Sequence, residues 1–118
     1  MENNDFFKKT FPGALFTISL NRREELQDVL LEGNTIKLKI IDDYTYTYLN
    51  ENLRVSTVKD GLIFIFTNKN TKNITKGDCI QLLIDIQYKP EDGHCYLESF
   101  DCKYDKDHGV YFDVYFGS

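Results

Sequence analysis

The chain has 118 residues, 42% of them hydrophobic and 14% aromatic, which suits one folded domain with a single core and excludes a disordered polymer. Its 14 basic and 19 acidic side chains leave a net charge of −5, a field that disfavours nucleic acid and anionic membranes as partners. No apolar run approaches the roughly 20 residues of a membrane span, and the start Met-Glu-Asn-Asn-Asp lacks the pattern of a secretory signal, so the expected setting is cytoplasmic, or host-cytosolic for a phage- or virus-encoded protein. Three cysteines, an odd number, point to free thiols in a reducing compartment rather than to a disulfide framework.

No linker, charge block or repeat divides the sequence, and residues 1–118 are read as one domain with a flexible N-terminus at 1–5. Asp5 to Lys9 has room for one helical turn before Pro12-Gly13, a turn signal. Ala14 to Leu20 alternates as a first strand. Asn21 and Glu24 have the spacing of a capping box, Leu26, Val29 and Leu30 form an apolar stripe, and Gly33 is a natural stop, so the expected single helix runs from Arg22 to Glu32.

Strands follow. Ile36, Leu38 and Ile40 share one face of 35–41, and a turn at Asp42-Asp43 would bring Tyr46 opposite Lys39 and Tyr48 opposite Lys37. Leu53 to Val58 and Leu62 to Thr67 flank Lys59-Asp60-Gly61, which reads as a three-residue hairpin loop. Residues 68–73 read as a polar loop, and 74–78 as a turn into the last part of the chain. Three final strands are expected over 79–88, 94–104 and 110–116. The fold class is therefore mainly β, with one short helix: an antiparallel meander closing as a β-sandwich or a partly open barrel.

The register of those final strands follows from their alternation, because a slip of one residue sends every side chain to the opposite face. Pairing Tyr88 with His94 keeps Ile80, Leu82, Ile84 and Ile86 on one face with Cys102, Phe100, Glu98 and Tyr96. Carried through the loop 105–109, it sets Tyr104 against Val110, Cys102 against Phe112, Phe100 against Val114 and Glu98 against Phe116. The opposite face then gathers Asp85, Asp101, Asp113, Tyr111 and Tyr115, with Gln81, Asp101 and Asp113 in one row. Like charges opposite each other across a ladder destabilise by a few tenths to about 1 kcal/mol, so this row asks for compensation from water, Lys103 or a basic partner.

Other constellations are weaker. His94, Cys95, Cys102 and His108 suggest zinc by type, but Cys95 and Cys102 on one strand stand about 23 Å apart at ~3.3 Å per residue, too far for one tetrahedral ion or a disulfide. Cys102 is expected as a core thiol, and Cys79 and Cys95 as surface or edge thiols. Asp105-Lys106-Asp107-His108-Gly109 begins like a calcium loop but lacks the distal carboxylate, and reads as a hairpin turn. Lys37, Lys39, Tyr44, Tyr46 and Tyr48 resemble a single-strand nucleic-acid platform, against which the acidic balance weighs. Glu98 alone on an apolar face would have a raised pKa, yet no second carboxylate, nucleophile or phosphate-binding loop joins it, and no enzyme, cofactor or metal is inferred.

The sequence thus favours a small acidic interaction or inhibitor module, such as a toxin-immunity protein or a phage-encoded inhibitor. Its face of Asp85, Asp101, Asp113, Tyr111 and Tyr115 would cover a basic site on another protein. The alternative is a β-barrel holding a small molecule near Glu98 and Tyr96.

Overall fold

The computed structural model describes residues 2–18, 20, 22–40, 52–59, 61–90, 93 and 95–117. Helix α1 spans Glu2–Thr10, followed by strand β1 (Thr17–Ile18), a 3-10 turn (Arg23–Gln27), β2 (Val29–Glu32) and β3 (Thr35–Ile40). Next come β4 (Leu53–Val58), β5 (Gly61–Thr67), β6 (Asn73–Thr75), helix α2 (Lys76–Asp85), β7 (Tyr96–Asp105) and β8 (Gly109–Gly117). The protein is mostly β, as the alternation predicts, but its topology is not a meander. Six strands form one mixed sheet in the order β1-β7-β8-β3-β5-β4, and β2 pairs with β6 in a separate two-stranded sheet. Two of the pairings, β1 with β7 and β3 with β8, are parallel, and the six-stranded sheet is open rather than closed into a barrel.

The β4–β5 hairpin closes across Val58 and Gly61, so Gly61 opens β5 with φ 152° instead of completing a three-residue loop. β3 pairs along its whole length with β5, Thr35 to Thr67 through Ile40 to Leu62, and on its other side Leu38 and Lys39 meet Phe112 and Asp113 of β8. The segment expected to pair with β3, 44–49, lies outside the described residues.

Two sequence expectations exchange places. The predicted helix over 22–32 is a 3-10 turn that ends at Gln27 and is capped by the extended Asp28, after which Val29–Glu32 pairs with Asn73–Thr75. Ladder partners far along the chain override a local helical pattern. Conversely, the predicted strand 79–88 is helix α2. Its start is a capping box: the Asp78 N–H donates to Thr75 Oγ1 at 3.2 Å, and the Thr75 N–H donates to Asp78 Oδ2 at 3.0 Å. Its end is a Schellman motif, in which Tyr88 N–H reaches the Leu83 carbonyl and Gln87 N–H the Ile84 carbonyl, each at 2.9 Å. The run Cys79-Ile80-Gln81-Leu82-Leu83-Ile84 carries both periods at once. Alternation selects Ile80, Leu82 and Ile84, whereas the helix buries Cys79, Ile80, Leu82 and Leu83.

The core lies on one face of the large sheet. Ile36, Leu38 and Ile40 of β3, Leu62 and Phe64 of β5, and Phe112 and Val114 of β8 meet Ile80 and Leu83 of α2 and Phe7 of α1. A file of rings ties the N-terminal segment to this core: Phe7 lies 5.2 Å from Phe11 and 6.3 Å from Phe16, Phe16 meets Phe116 edge-on at 5.5 Å, and Phe116 lies 5.1 Å from Tyr88. Tyr88 and Phe116 therefore bind the end of α2 to the end of β8.

Gln87 occupies the left-handed position of the Schellman motif at φ 57°, where glycine is the usual residue. Gln87→Gly is accordingly expected to stabilise the fold by roughly 0.5–1 kcal/mol, read as a higher denaturant midpoint with unchanged slope, while the β-branched Gln87→Val lowers it.

Candidate functional site

The register of the β7–β8 hairpin is the predicted one through most of its length: Tyr104 faces Val110, Cys102 faces Phe112, Phe100 faces Val114 and Asp101 faces Asp113. Lys103 stands opposite Tyr111, and Ser99 opposite Tyr115. Asp101, Asp113, Tyr111 and Tyr115 therefore share the face turned away from the helices, with Tyr115 44% exposed.

The other predicted members of this face lie elsewhere. Asp85 is exposed on α2, where it accepts a hydrogen bond from Gln81 Nε2 at 2.8 Å, so neither Asp85 nor Gln81 joins the sheet row. Between Leu97 and Ser99 the ladder shifts by one residue, and Leu97, not Glu98, faces Phe116. This bulge keeps the apolar Leu97 in the core and turns Glu98 out to solvent, its carboxylate against the Gly117 backbone where a Cβ would collide with it. Tyr96 is exposed as well. Glu98 and Tyr96 thus line no barrel mouth. Sequence alternation misses a bulge because one extra residue reverses the inside and outside positions beyond it.

What the sequence reading lacked was β3 beside β8. Lys39 is the ladder neighbour of Asp113 and holds its ammonium 5.9 Å from the centre of the Tyr111 ring. Two cross-strand rows result. One runs Ser56, Ile63, Lys39, Asp113, Asp101 across β4, β5, β3, β8 and β7. The next begins Arg54, Ile65, Lys37 and, at the same β3–β8 offset, continues to Tyr111 and Lys103. The face is therefore graded, basic and aliphatic on β3–β5 and carrying Asp101, Asp113, Tyr111, Tyr115 and Lys103 on β7–β8, with Lys39 the ladder neighbour of Asp113 in the Asp101–Asp113 row.

The tip of the β7–β8 hairpin is anchored to the same face. Lys37 Nζ donates to the His108 carbonyl at 2.6 Å. Asp105 Oδ1 accepts the His108 backbone N–H at 2.6 Å, and the His108 imidazole Nδ1 lies 3.1 Å from both carboxylate oxygens. Residues 105–109 thus form the hairpin turn expected from their composition, with Gly109 at φ 70°. Between this tip and the β4–β5 turn is a cleft of about 160 Å³ lined by Lys39, Val58, Lys59, Ile63, Asp105 and His108. Val58 and Ile63, the latter only 2% exposed although outside the main core, are its apolar components.

Cys79 and Cys102 differ from expectation, whereas Cys95 is the exposed thiol expected. Cys79 is buried in α2, while Cys102 and Cys95 are exposed, and all three are free thiols. Cys102 does lie on the core face of β7, but toward the hairpin tip that face is open to solvent, with Tyr104 71% and Val110 49% exposed beside it. Among the described residues, no helix is long and apolar enough to cross a membrane. No protein-family model, curated protein or solved structure matches the chain.

Burial, aided by the neighbouring Asp78 carboxylate, pushes the Cys79 thiol up to about 12. A thiol-specific reagent at low protein concentration should therefore label Cys95 and Cys102 in the native protein and reach Cys79 only when denaturant is added; rapid native labelling of Cys79 would contradict its place in the core. At Asp105, desolvation acts to raise the carboxyl, but the His108 backbone N–H, imidazole and charge and the Asp107 N–H outweigh it and hold the carboxyl below its usual range. A folded-state value below the unfolded one means that these contacts stabilise the tip above the ordinary aspartate range, and that this contribution is lost as pH falls through the depressed value. Carbon NMR titration should give an Asp105 midpoint below that of a free aspartate, moving partway back in His108→Ala.

Proposed function

We propose that this protein is a small protein-interaction module, of the inhibitor kind represented by toxin-immunity proteins and phage-encoded inhibitors, and that it binds its partner with the outer face of β7–β8. The observation that carries the reading is the shared face of Asp101, Asp113, Tyr111 and Tyr115, to which no described helix contributes. Tyrosine buries a large area at low entropic cost, and carboxylates among tyrosines steer a basic surface and set its register. Because Lys37, Lys39 and Arg54 occupy the neighbouring strands, the complementary surface is basic only where it meets β7–β8 and neutral or acidic toward β4. A cytoplasmic or host-cytosolic setting belongs to the same reading and suits the three free thiols.

The test is affinity capture from the native host at low and high salt, beside thermal melts, for the parent protein, Asp113→Asn and Tyr115→Ala. Asp113→Asn removes both the repulsion from Asp101 and the attraction to Lys39, so stability should change by no more than about 1 kcal/mol, while capture weakens and becomes less salt-sensitive. Tyr115→Ala should reduce affinity about tenfold or more without unfolding the domain. A loss of several kcal/mol in Asp113→Asn would assign the carboxylate to a structural network, and undiminished capture by Tyr115→Ala would remove the face from the interface.

A further inference from the structure

Strand β7 is paired with β8 on its inner side, and among the described residues its outer side meets only Thr17 and Ile18 of β1, which pair with Tyr96 and Leu97. Beyond the bulge at Glu98, the outer edge of Ser99 to Asp105 has no ladder neighbour among the described residues. Lysine on such an edge ordinarily deters pairing. Here Asp101 lies two residues from Lys103 on the same face, and that spacing makes the edge complementary to itself.

We propose that a second copy of this chain pairs with this edge, β7 antiparallel to β7, about a two-fold axis at Cys102. In that register Asp101 faces the partner's Lys103, Phe100 faces the partner's Tyr104, and each contact occurs twice. Shifting the axis to Asp101 sets two aspartates face to face. Shifting it to Lys103 opposes two lysines and places Asp101 against the partner's Asp105. An axis between residues would oppose core-face to outer-face side chains and is not available to an antiparallel pair. Of these three axes only that at Cys102 pairs unlike charges, and although an axis at Tyr104 would set Lys103 against the partner's Asp105, it engages only Lys103 to Asp105 of the strand; the Cys102 axis gives the isologous contact that a two-fold dimer requires.

Two further observations favour this occupant. The Ser56, Ile63, Lys39, Asp113, Asp101 row ends on a carboxylate at the open edge, and the partner's Lys103 extends it with the opposite sign. On the core face, Tyr104 is 71% exposed and the edge thiol Cys102 is exposed beside it, and the partner's Phe100 would cover the tyrosine ring. The dimer joins two six-stranded sheets with their helices on the same side. It rests on the β7 edge and not on the partner-binding role proposed for the outer face.

Sedimentation equilibrium over a wide concentration range tests it, with circular dichroism to confirm that each variant is folded. The parent chain should pass from the mass of one chain to that of two. Lys103→Glu should raise the midpoint of that transition at least tenfold, and the charge exchange Asp101→Lys with Lys103→Glu should restore it. In a Cys95→Ser background, diamide, which accepts the two electrons and two protons lost by paired thiols, should yield a disulfide-linked dimer through Cys102. That product should be absent in Cys102→Ser and diminished in Lys103→Glu, because directly opposed strand residues stand within disulfide reach. A single-chain mass up to millimolar concentration, or Lys103→Glu associating as the parent does, would overturn the proposal.

Discussion

The pairing of Leu38 with Phe112 and of Lys39 with Asp113 joins two hairpin units, β4–β5 with β3 and β7–β8, into one sheet. Both faces depend on this parallel contact. On one side it brings Leu38 and Phe112 together in the core, and on the other it sets Lys39 beside Asp113. A parallel neighbour cannot be reached by a tight turn, and the chain between β3 and β8 runs through β4, β5, β6, α2 and β7 before it returns. Two hairpins that merely followed each other in a meander would have left Asp101 and Asp113 facing each other without the lysine.

Helix α2 illustrates how closely balanced local signals are resolved. Its apolar residues satisfy a period of two and a period of 3.6, so side-chain pattern alone does not choose between strand and helix. The ends choose. Thr75 and Asp78 satisfy each other's backbone N–H groups at the start, and the carbonyls of Leu83 and Ile84 are satisfied by Tyr88 and Gln87 at the finish. Placing the segment on the core face as a helix also buries Cys79 and sends Asp85 to solvent, away from the sheet face with which alternation had grouped it. In the opposite sense, a capping pattern at Asn21 and Glu24 did not produce an α-helix after it, because Val29–Glu32 gains a ladder with β6.

The outer face shows why a row of charges has to be read across strands rather than along them. Along β7 and β8 the pattern is mainly acidic and aromatic; across the sheet one row passes from Lys39 to Asp113 and Asp101 and the next from Arg54 and Lys37 to Tyr111 and Lys103. The hairpin tip belongs to the same electrostatic arrangement, since Lys37 holds the His108 carbonyl and Asp105 holds the His108 N–H and imidazole. The bulge at Glu98 separates the part of β7 paired with β1 from the part that no described strand pairs on its outer side. One irregularity thus governs what is buried at Leu97 and what is presented at Asp101 and Lys103.

By itself the sequence determined the β-rich character, the β4–β5 hairpin, and the central register of β7 against β8, including the Asp101–Asp113 opposition and the shared face of Tyr111 and Tyr115. These are contacts between neighbours in the chain, where a short turn limits the choice of partner and alternation sets the side. The tertiary structure alone decided that β3 lies parallel to β8, that β1 lies parallel to β7 and that 29–32 is a strand, whereas the helix at 76–85 is selected over a strand by the local caps at Thr75 and Asp78 and at Gln87 and Tyr88. The three pairings turn on partners dozens of residues away. Local periodicity does not encode such partners, and Lys39 beside Asp113 is therefore visible only in the folded chain.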